Sequence, residues 1–111
     1  MVSVFEFLGK KDCTPPALPE GTVRRRYTIT GQVQGVGFRY RAQYAARSLE
    51  LTGWVRNEED GSVTLEVQGD PDKFGRLFAM IQQSDYIQIT DIRSRDLPPD
   101  PWERSFSVQG Y

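Results

Sequence analysis

The segment YTITGQVQGVGFRYRAQYAA, residues 27–46, changes from the pattern of a strand to that of a helix within a few positions. Apolar Tyr27, Ile29 and Val33 occupy alternate positions, with polar residues between them, as in a half-buried strand. After the glycines, apolar residues recur at helical spacing, at Phe38, Ala42, Ala45, Ala46 and Leu49. The segment therefore predicts a strand that leads through a glycine loop into a helix packed on a sheet.

The rest of the chain completes a recognisable element order. Strands are predicted around residues 52–56 and 62–68, joined by a hairpin turn at Glu59-Asp60-Gly61, and a second helix begins at Asp70-Pro71. Strands near residues 87–89 and 106–108 follow. The order βαββαβ plus a short terminal strand predicts a ferredoxin-like α+β fold, with a split βαβ topology and an antiparallel sheet carrying two helices on one face. We expect the second strand to lie beside the first.

Length and composition limit the number of domains and the chemistry. The 111 residues suit a single domain, with an irregular proline-rich arm over residues 1–22 and the folded domain over residues 23–111. Lys and Arg total 14 and Asp and Glu total 15, so the net charge of −1 gives no overall field towards nucleic acid or membranes. Histidine is absent, which excludes mechanisms based on imidazole. The single cysteine, Cys13, cannot form an internal disulfide, and we expect a cytoplasmic protein.

The glycine loop has two interpretations. A strand that enters a helix through Gly35 and Gly37 leaves backbone N–H groups free at the positive end of the helix dipole, where an oxyanion binds readily. Arg39, near the start of the helix, could then hold phosphate oxygens in pairs. Alternatively, this is an ordinary corner and Arg39 lies in solvent. The loop is neither a P-loop nor a GxGxxG motif, and its own residues leave both interpretations open.

A second group of residues is Gly53-Trp54-Val55-Arg56-Asn57. Asn57 could approach the glycine loop and both donate and accept hydrogen bonds there, or it could simply serve the hairpin turn. We expect Trp54 to belong to the core. The run Arg24-Arg25-Arg26 is more typical of a solvated strand edge than of a nucleic-acid patch.

Taken together, three motifs make the chain resemble an acylphosphatase from about Tyr27 to Val108. They are GQVQGVGFR at residues 31–39, GWVRN at residues 53–57 and DGSV at residues 60–63. The resemblance implies hydrolysis of a small-molecule acyl phosphate to a carboxylate and inorganic phosphate, without metal or other cofactor. We expect a monomer that binds neither nucleic acid nor membranes.

The resemblance also implies roles for individual residues. The loop of Gln34, Gly35, Val36, Gly37 and Phe38 would bind the phosphate through backbone amides, Arg39 would complete the cradle, and Asn57 would orient the attacking water. The proton of that water would pass to the phosphate of the substrate. Such chemistry needs little acid catalysis, because the leaving carboxylate is stable, and it depends mainly on positioning and charge stabilisation.

Two residues depart from the family pattern. Glu50 stands where glycine is common after the first helix, and Glu58 stands where threonine is frequent.

Two other functions are compatible with the predicted fold and with the glycine loop. One is a domain that binds a phosphate compound without turnover. The other is an RNA-binding module of the same topology, although the third strand, residues 62–68, offers no stacking aromatic residue.

Overall fold

The structure, a computed structural model, describes residues 14–110. Cys13 and the greater part of the predicted arm lie outside these residues. The elements in chain order are β1 (Val23–Gln32), α1 (Phe38–Ser48), β2 (Thr52–Asn57), β3 (Val63–Gly69), a 3₁₀ turn (Pro71–Lys73), α2 (Phe74–Ile81), β4 (Gln88–Leu97) and β5 (Phe106–Gln109). This order confirms the ferredoxin-like α+β fold predicted from the sequence.

The strands form one five-stranded sheet in the order β4-β1-β3-β2-β5. The expectation that β2 lies beside β1 is wrong, because β3 pairs antiparallel with both and separates them. β1 and β2 consequently run in the same direction, and their C-terminal ends lie at the same end of the sheet. β5 pairs in parallel with β2, so the sheet is mixed rather than wholly antiparallel.

Both helices contribute to a hydrophobic core on one face of the sheet. Helix α1 buries its predicted stripe, including Phe38, Ala42 and Ala45, and α2 buries Phe74 and Leu77. These residues pack with the apolar side chains that the strands direct to the same face, namely Tyr27, Ile29, Val55, Val63, Leu65, Val67 and Phe106. The apolar side chains at every second position of the strands and at helical spacing in α1 and α2 therefore face one buried layer.

Helix α1 ends in a Schellman motif. The N–H of Leu51 donates to the carbonyl of Ala46 at 2.8 Å, and the N–H of Glu50 donates to the carbonyl of Arg47 at 3.1 Å. Glu50 lies at φ 59°, in the left-handed region, and is the non-glycine residue with positive φ among residues 14–110. Glu50 therefore adopts the conformation that a glycine adopts without steric cost.

The other face of the sheet is polar, and we call it the open face. Arg24 is buried here: its Nε donates to Glu66 at 2.7 Å and its Nη1 to Glu103 at 2.9 Å. Arg26 also donates to Glu66, at 2.7 Å. Burial by itself raises the pKa of the Glu66 carboxyl, but the hydrogen bonds from both guanidiniums outweigh this effect and hold the pKa below its ordinary value. The prediction of a solvated strand edge is wrong for Arg24, because β1 is an interior strand.

Trp54 also lies on the open face and not in the core. It is half-buried, and the guanidiniums of Arg56 and Arg26 lie 4.9 Å and 5.8 Å from its ring centroid. Its neighbours in β2, Gly53 and Val55, are the buried ones. The alternation of β2 therefore assigns the tryptophan to the polar face, where it makes cation–π contacts.

Neither helix in the described part of the chain has the length and apolar character needed to span a bilayer. Residues 15–19 have no regular secondary structure, and β1 begins at Val23. The division of the chain into an arm over residues 1–22 and a domain over residues 23–111 stays a prediction.

The exit of α1 leads to a stability prediction. Since the left-handed region costs a residue with a Cβ roughly 1–2 kcal/mol, we expect Glu50→Gly to raise the free energy of unfolding by about 1 kcal/mol, after the greater chain entropy of glycine is subtracted. Urea unfolding measures the change. Glu50→Ala is the matched control, since it removes the carboxylate but keeps the Cβ, and it should give no such gain. Equal stabilisation by both substitutions would contradict the explanation from backbone strain.

Candidate active site

The loop between β1 and α1 is shaped by two glycines with positive φ. Gly35 has φ 72° and Gly37 has φ 80°, and Gly37 is the N-cap of α1 in the left-handed conformation. No side chain caps this helix end, and its first turn contains no acidic residue. The N–H of Arg41 donates to the carbonyl of Gly37 at 3.1 Å. The amides that precede Arg41 in the first turn have no acceptor within the helix, which makes this end of α1 electropositive.

In front of this helix end lies a small cavity of about 110 Å³, which we call the notch. Its lining is formed by Val33, Gly35, Gly37, Phe38, Arg39, Tyr40 and Asn57. At about 30 Å³ per water molecule in the liquid, a cavity of this volume suits a few waters or one small oxyanion. The notch therefore brings Arg39 and Asn57, from different elements, to one place beside the electropositive end of α1.

Arg39 is the second residue of α1 and is half-buried. Its Nη1 donates to the carbonyl oxygen of Gln109, the last residue of β5, at 3.1 Å. Arg39 forms no ion pair with a carboxylate of residues 14–110. The end of β5 thus orients the guanidinium, while its positive charge is not neutralised by any carboxylate in the described chain.

Asn57 is the last residue of β2 and points to the same face as Val55, towards the helices. Its Oδ1 is buried and has no hydrogen-bond partner among the described residues. A buried acceptor without a partner costs about 1–3 kcal/mol, and such an atom in a folded protein usually serves a water or a ligand. The amide of Asn57 is therefore available to a molecule that enters the notch.

Gln34 does not line the notch but lines a neighbouring groove beside the hairpin. Its Nε2 donates to the carbonyl of Glu58 at 2.7 Å and to the carbonyl of Ser62 at 2.9 Å. These two carbonyls belong to the hairpin that directly follows Asn57. The side chain of Gln34 therefore connects the glycine loop to the hairpin and fixes the distance between the loop and Asn57.

The hairpin itself is held by local hydrogen bonds. The N–H of Glu58 donates to the carbonyl of Ser62 at 2.8 Å, and the Asp60 carboxylate accepts from the hydroxyl of Ser62 at 2.6 Å and from its N–H at 2.9 Å. The bonds from Ser62 lower the pKa of the Asp60 carboxyl below its ordinary value. Because the turn is held in this way, the end of β2 has a defined position.

The predicted site residues divide into two groups. Gly35, Gly37, Phe38, Arg39 and Asn57 line the notch, whereas Gln34 contacts the hairpin and Val36 packs against the core. Glu58 is turned away from the notch and pairs with Arg56 at 2.6 Å. Val33 and Tyr40 were not predicted as lining residues, although both adjoin predicted ones in sequence. Gln109 was not predicted either, since its contact with Arg39 depends on the parallel pairing of β5.

No cluster of metal ligands lies in the described part of the chain. Within residues 14–110, no three side chains of His, Cys, Asp or Glu are grouped so that they could hold a metal ion.

Comparison with known proteins gives a consistent result. Residues 25–108 match the family model described as acylphosphatase. The acylphosphatase of Clostridium perfringens strain SM101 is 37% identical over 87 residues, which cover 78% of this chain and 98% of that protein. The acylphosphatase of Koribacter versatilis is 34% identical over 107 residues, which cover 91% and 97% respectively. Among solved structures, the acylphosphatase from Bacillus subtilis superposes with a TM-score of 0.72 at 30% identity, over 79% of this chain and 99% of that chain.

The contact between Gln34 and the hairpin leads to a prediction. Gln34→Leu removes both hydrogen bonds, while each carbonyl keeps one backbone donor, the N–H of Gly61 for Glu58 and the N–H of Glu58 for Ser62. Since a hydrogen bond contributes about 0.5–1.5 kcal/mol net, we expect the free energy of unfolding to fall by about 1–3 kcal/mol. Gln32→Leu is the matched control, because Gln32 is exposed and its replacement should change stability by less than about 0.5 kcal/mol. Urea unfolding of the two variants compares them directly. Equal stability of the two would show that Gln34 does not fasten the hairpin.

Proposed function

The chain belongs to the acylphosphatase family, whose members hydrolyse acyl phosphates, and from that premise we propose that the notch binds the phosphoryl group of the substrate. One observation carries the proposal: Arg39, Asn57 and the uncapped end of α1 meet in a single cavity of about 110 Å³. These features are complementary: Arg39 supplies a cation, Asn57 supplies an amide, and the end of α1 supplies backbone N–H donors.

In this proposal the backbone amides of residues 34–38 hold the phosphate oxygens. The left-handed conformations of Gly35 and Gly37 allow successive N–H groups to face one point. The space beside both glycines is open, since a Cβ at either position would meet no atom within 4 Å beyond its chain neighbours. Arg39 adds a full positive charge and planar donors. Its contact with Gln109 occupies one N–H and leaves others for phosphate oxygens.

Asn57 orients the attacking water. Its buried Oδ1 lacks a partner in the described chain and can accept a hydrogen bond from that water, while its amide nitrogen can donate to a phosphate oxygen. Gln34 keeps the loop and the hairpin at a fixed separation, so the water is held opposite the phosphorus. Such positioning is the main contribution a protein can make to phosphoryl transfer.

The reaction balances without a protein base. The water oxygen bonds to phosphorus, the bond between phosphorus and the acyl oxygen breaks, and the electron pair leaves with the carboxylate. An acyl phosphate dianion and water thus give a carboxylate and dihydrogen phosphate. The lining of the notch includes neither a carboxylate nor an imidazole, so we infer that the proton of the water passes to a phosphate oxygen.

The proposed function extends to the oligomeric state, the compartment and the domain of the protein. The protein acts as a monomer on a small molecule and not on nucleic acid or a membrane, which agrees with its net charge of −1. It works in the cytoplasm, as a chain with a single cysteine suggests. The domain over residues 23–111 carries the activity.

The roles of Arg39 and Asn57 are separable by kinetics. We expect Arg39→Ala to lower kcat/KM for benzoyl phosphate on the order of 10³-fold and to weaken competitive inhibition by inorganic phosphate, because it removes charge from the cradle. Asn57→Ala should lower kcat on the order of 10²-fold and change phosphate inhibition much less, because it disturbs the water more than the anion.

Arg41→Ala is the matched control, since Arg41 is an exposed arginine two residues further along α1 and does not line the notch. Its rate should stay within about twofold of the wild type, as expected for a surface change. Equal rates in Arg39→Ala and Arg41→Ala would refute the assignment of the notch, and so would phosphate binding that survives unchanged in Arg39→Ala.

A further inference from the structure

The notch accommodates the phosphoryl group but not the remainder of the substrate. A volume of about 110 Å³ equals only a few water molecules, so the acyl group must lie on the neighbouring surface. Within residues 14–110, two neighbouring grooves share a lining residue with the notch. The first, which we call the acidic groove, shares Asn57 and has a volume of about 960 Å³. The second, which we call the tyrosine groove, shares Tyr40 and has a volume of about 420 Å³.

The acidic groove has the wrong charge for the leaving group. Glu58, Glu59 and Asp60 line it, and its lining cation, Arg56, is already paired with Glu58 at 2.6 Å. Hydrolysis produces a carboxylate on the acyl side, and like charges at short range repel each other. A developing carboxylate would therefore be destabilised beside the hairpin.

The tyrosine groove has the opposite character. It runs along the exposed face of α1 and is lined by Tyr40, Gln43, Tyr44, Arg47 and Ser48, with no carboxylate in the lining. Tyr40 and Tyr44 are 68% and 73% exposed and lie one helical turn apart, so their rings can form one continuous surface. Arg47, one turn beyond, supplies a positive charge.

The exposure of these two rings is itself informative. Large aromatic side chains on a helix surface contribute little to folding when they are more than two-thirds exposed, and neighbouring ones often mark a binding surface. Here the surface is continuous with the notch, because Tyr40 lines both the notch and the groove. The residue adjacent to Arg39 in sequence thus joins the phosphoryl site to an aromatic surface.

We propose that the acyl group of the substrate lies in the tyrosine groove, and that Tyr40 is a specificity-determining residue that favours acyl phosphates with a flat aromatic acyl group. This assignment rests on the proposed function of the notch. The ring of Tyr40 packs against the acyl group, and Tyr44 extends the contact for larger groups. Small aliphatic acyl groups, such as acetyl, gain less binding energy because they cover less of the Tyr40 ring.

The test compares two substrates in the full chain. The ratio of kcat/KM for benzoyl phosphate to kcat/KM for acetyl phosphate is measured in the wild type, Tyr40→Ala, Tyr40→Phe and Tyr44→Ala. We expect Tyr40→Ala to lower the ratio about 3- to 10-fold, as loss of one aromatic contact would do. Tyr40→Phe should keep the ratio of the wild type, because the ring remains, and Tyr44→Ala should lower it less than Tyr40→Ala does.

Trp102→Ala is the matched control. Trp102 is another aromatic residue that is 50% exposed, and it lines neither the notch nor either groove. Its replacement should leave the ratio unchanged. An equal fall in Trp102→Ala and Tyr40→Ala would overturn the proposal, as would an unchanged ratio in Tyr40→Ala. Because Tyr40 is exposed, its variants should unfold at the urea concentration of the wild type, and a lower ratio then reports specificity.

Two further outcomes separate this inference from the function of the notch. A ratio that falls in Arg56→Ala and not in Tyr40→Ala would assign the acyl group to the acidic groove, which overturns the inference while the notch keeps its function. Hydrolysis of both substrates at the wild-type rate by Arg39→Ala would instead refute the notch itself. The inference would then fail with it, since the tyrosine groove is defined by its continuity with the notch.

Discussion

One row of paired residues across the sheet determines where the site forms. Val63 of β3 pairs with Ile29 of β1 on one side and with Asn57 of β2 on the other. Because β1 and β2 both run antiparallel to β3, their C-terminal ends lie at the same end of the sheet, where β1 continues into the glycine loop. A slip of one residue in the pairing of β2 with β3 would turn the side chains of β2 to the opposite face and remove Asn57 from the notch. A slip of one residue between β1 and β3 would in the same way turn the apolar side chains of β1 out of the core.

Other contacts hold the loop, the hairpin and Arg39 in position around this row of residues. Gln34 ties the loop to the hairpin after Asn57, and the end of β5 holds the guanidinium of Arg39. On the open face, far along the strands, Arg24 and Glu66 form a buried ion pair, and the half-buried Glu103 pairs with Arg24 beside it. A buried ion pair offers weak stabilisation in general, yet loss of one partner is costly. Any arrangement of β1 and β3 that separated Arg24 from Glu66 would therefore leave a buried charge unpaired.

The sequence predicted the features that depend on local chemistry. Alternation in residues 27–33 and helical spacing after Phe38 identify β1 and α1, because burial of one face imposes those periods directly. Gly35, Gly37, Arg39 and Asn57 stand out by residue type and by their resemblance to a family. The structure brings these four residues together at the notch, and their individual roles stay proposals.

Features that depend on tertiary pairing were not predictable from the sequence in the same way. The parallel addition of β5, the interior position of Arg24 and the contact of Gln34 with the hairpin all arise from strand order, which residue periodicity does not contain. Trp54 was misassigned because its size suggested the core, whereas its position in the alternation of β2 assigns it to the open face.

A crystal structure of the full chain grown with inorganic phosphate would show whether an anion binds between the uncapped end of α1 and Arg39. We expect a phosphate within about 2.7–3.2 Å of backbone nitrogens in the loop over residues 34–38 and of the Arg39 guanidinium, with the amide of Asn57 facing it. A phosphate bound elsewhere on the surface, with the notch holding only water, would show that the notch is not the anion site.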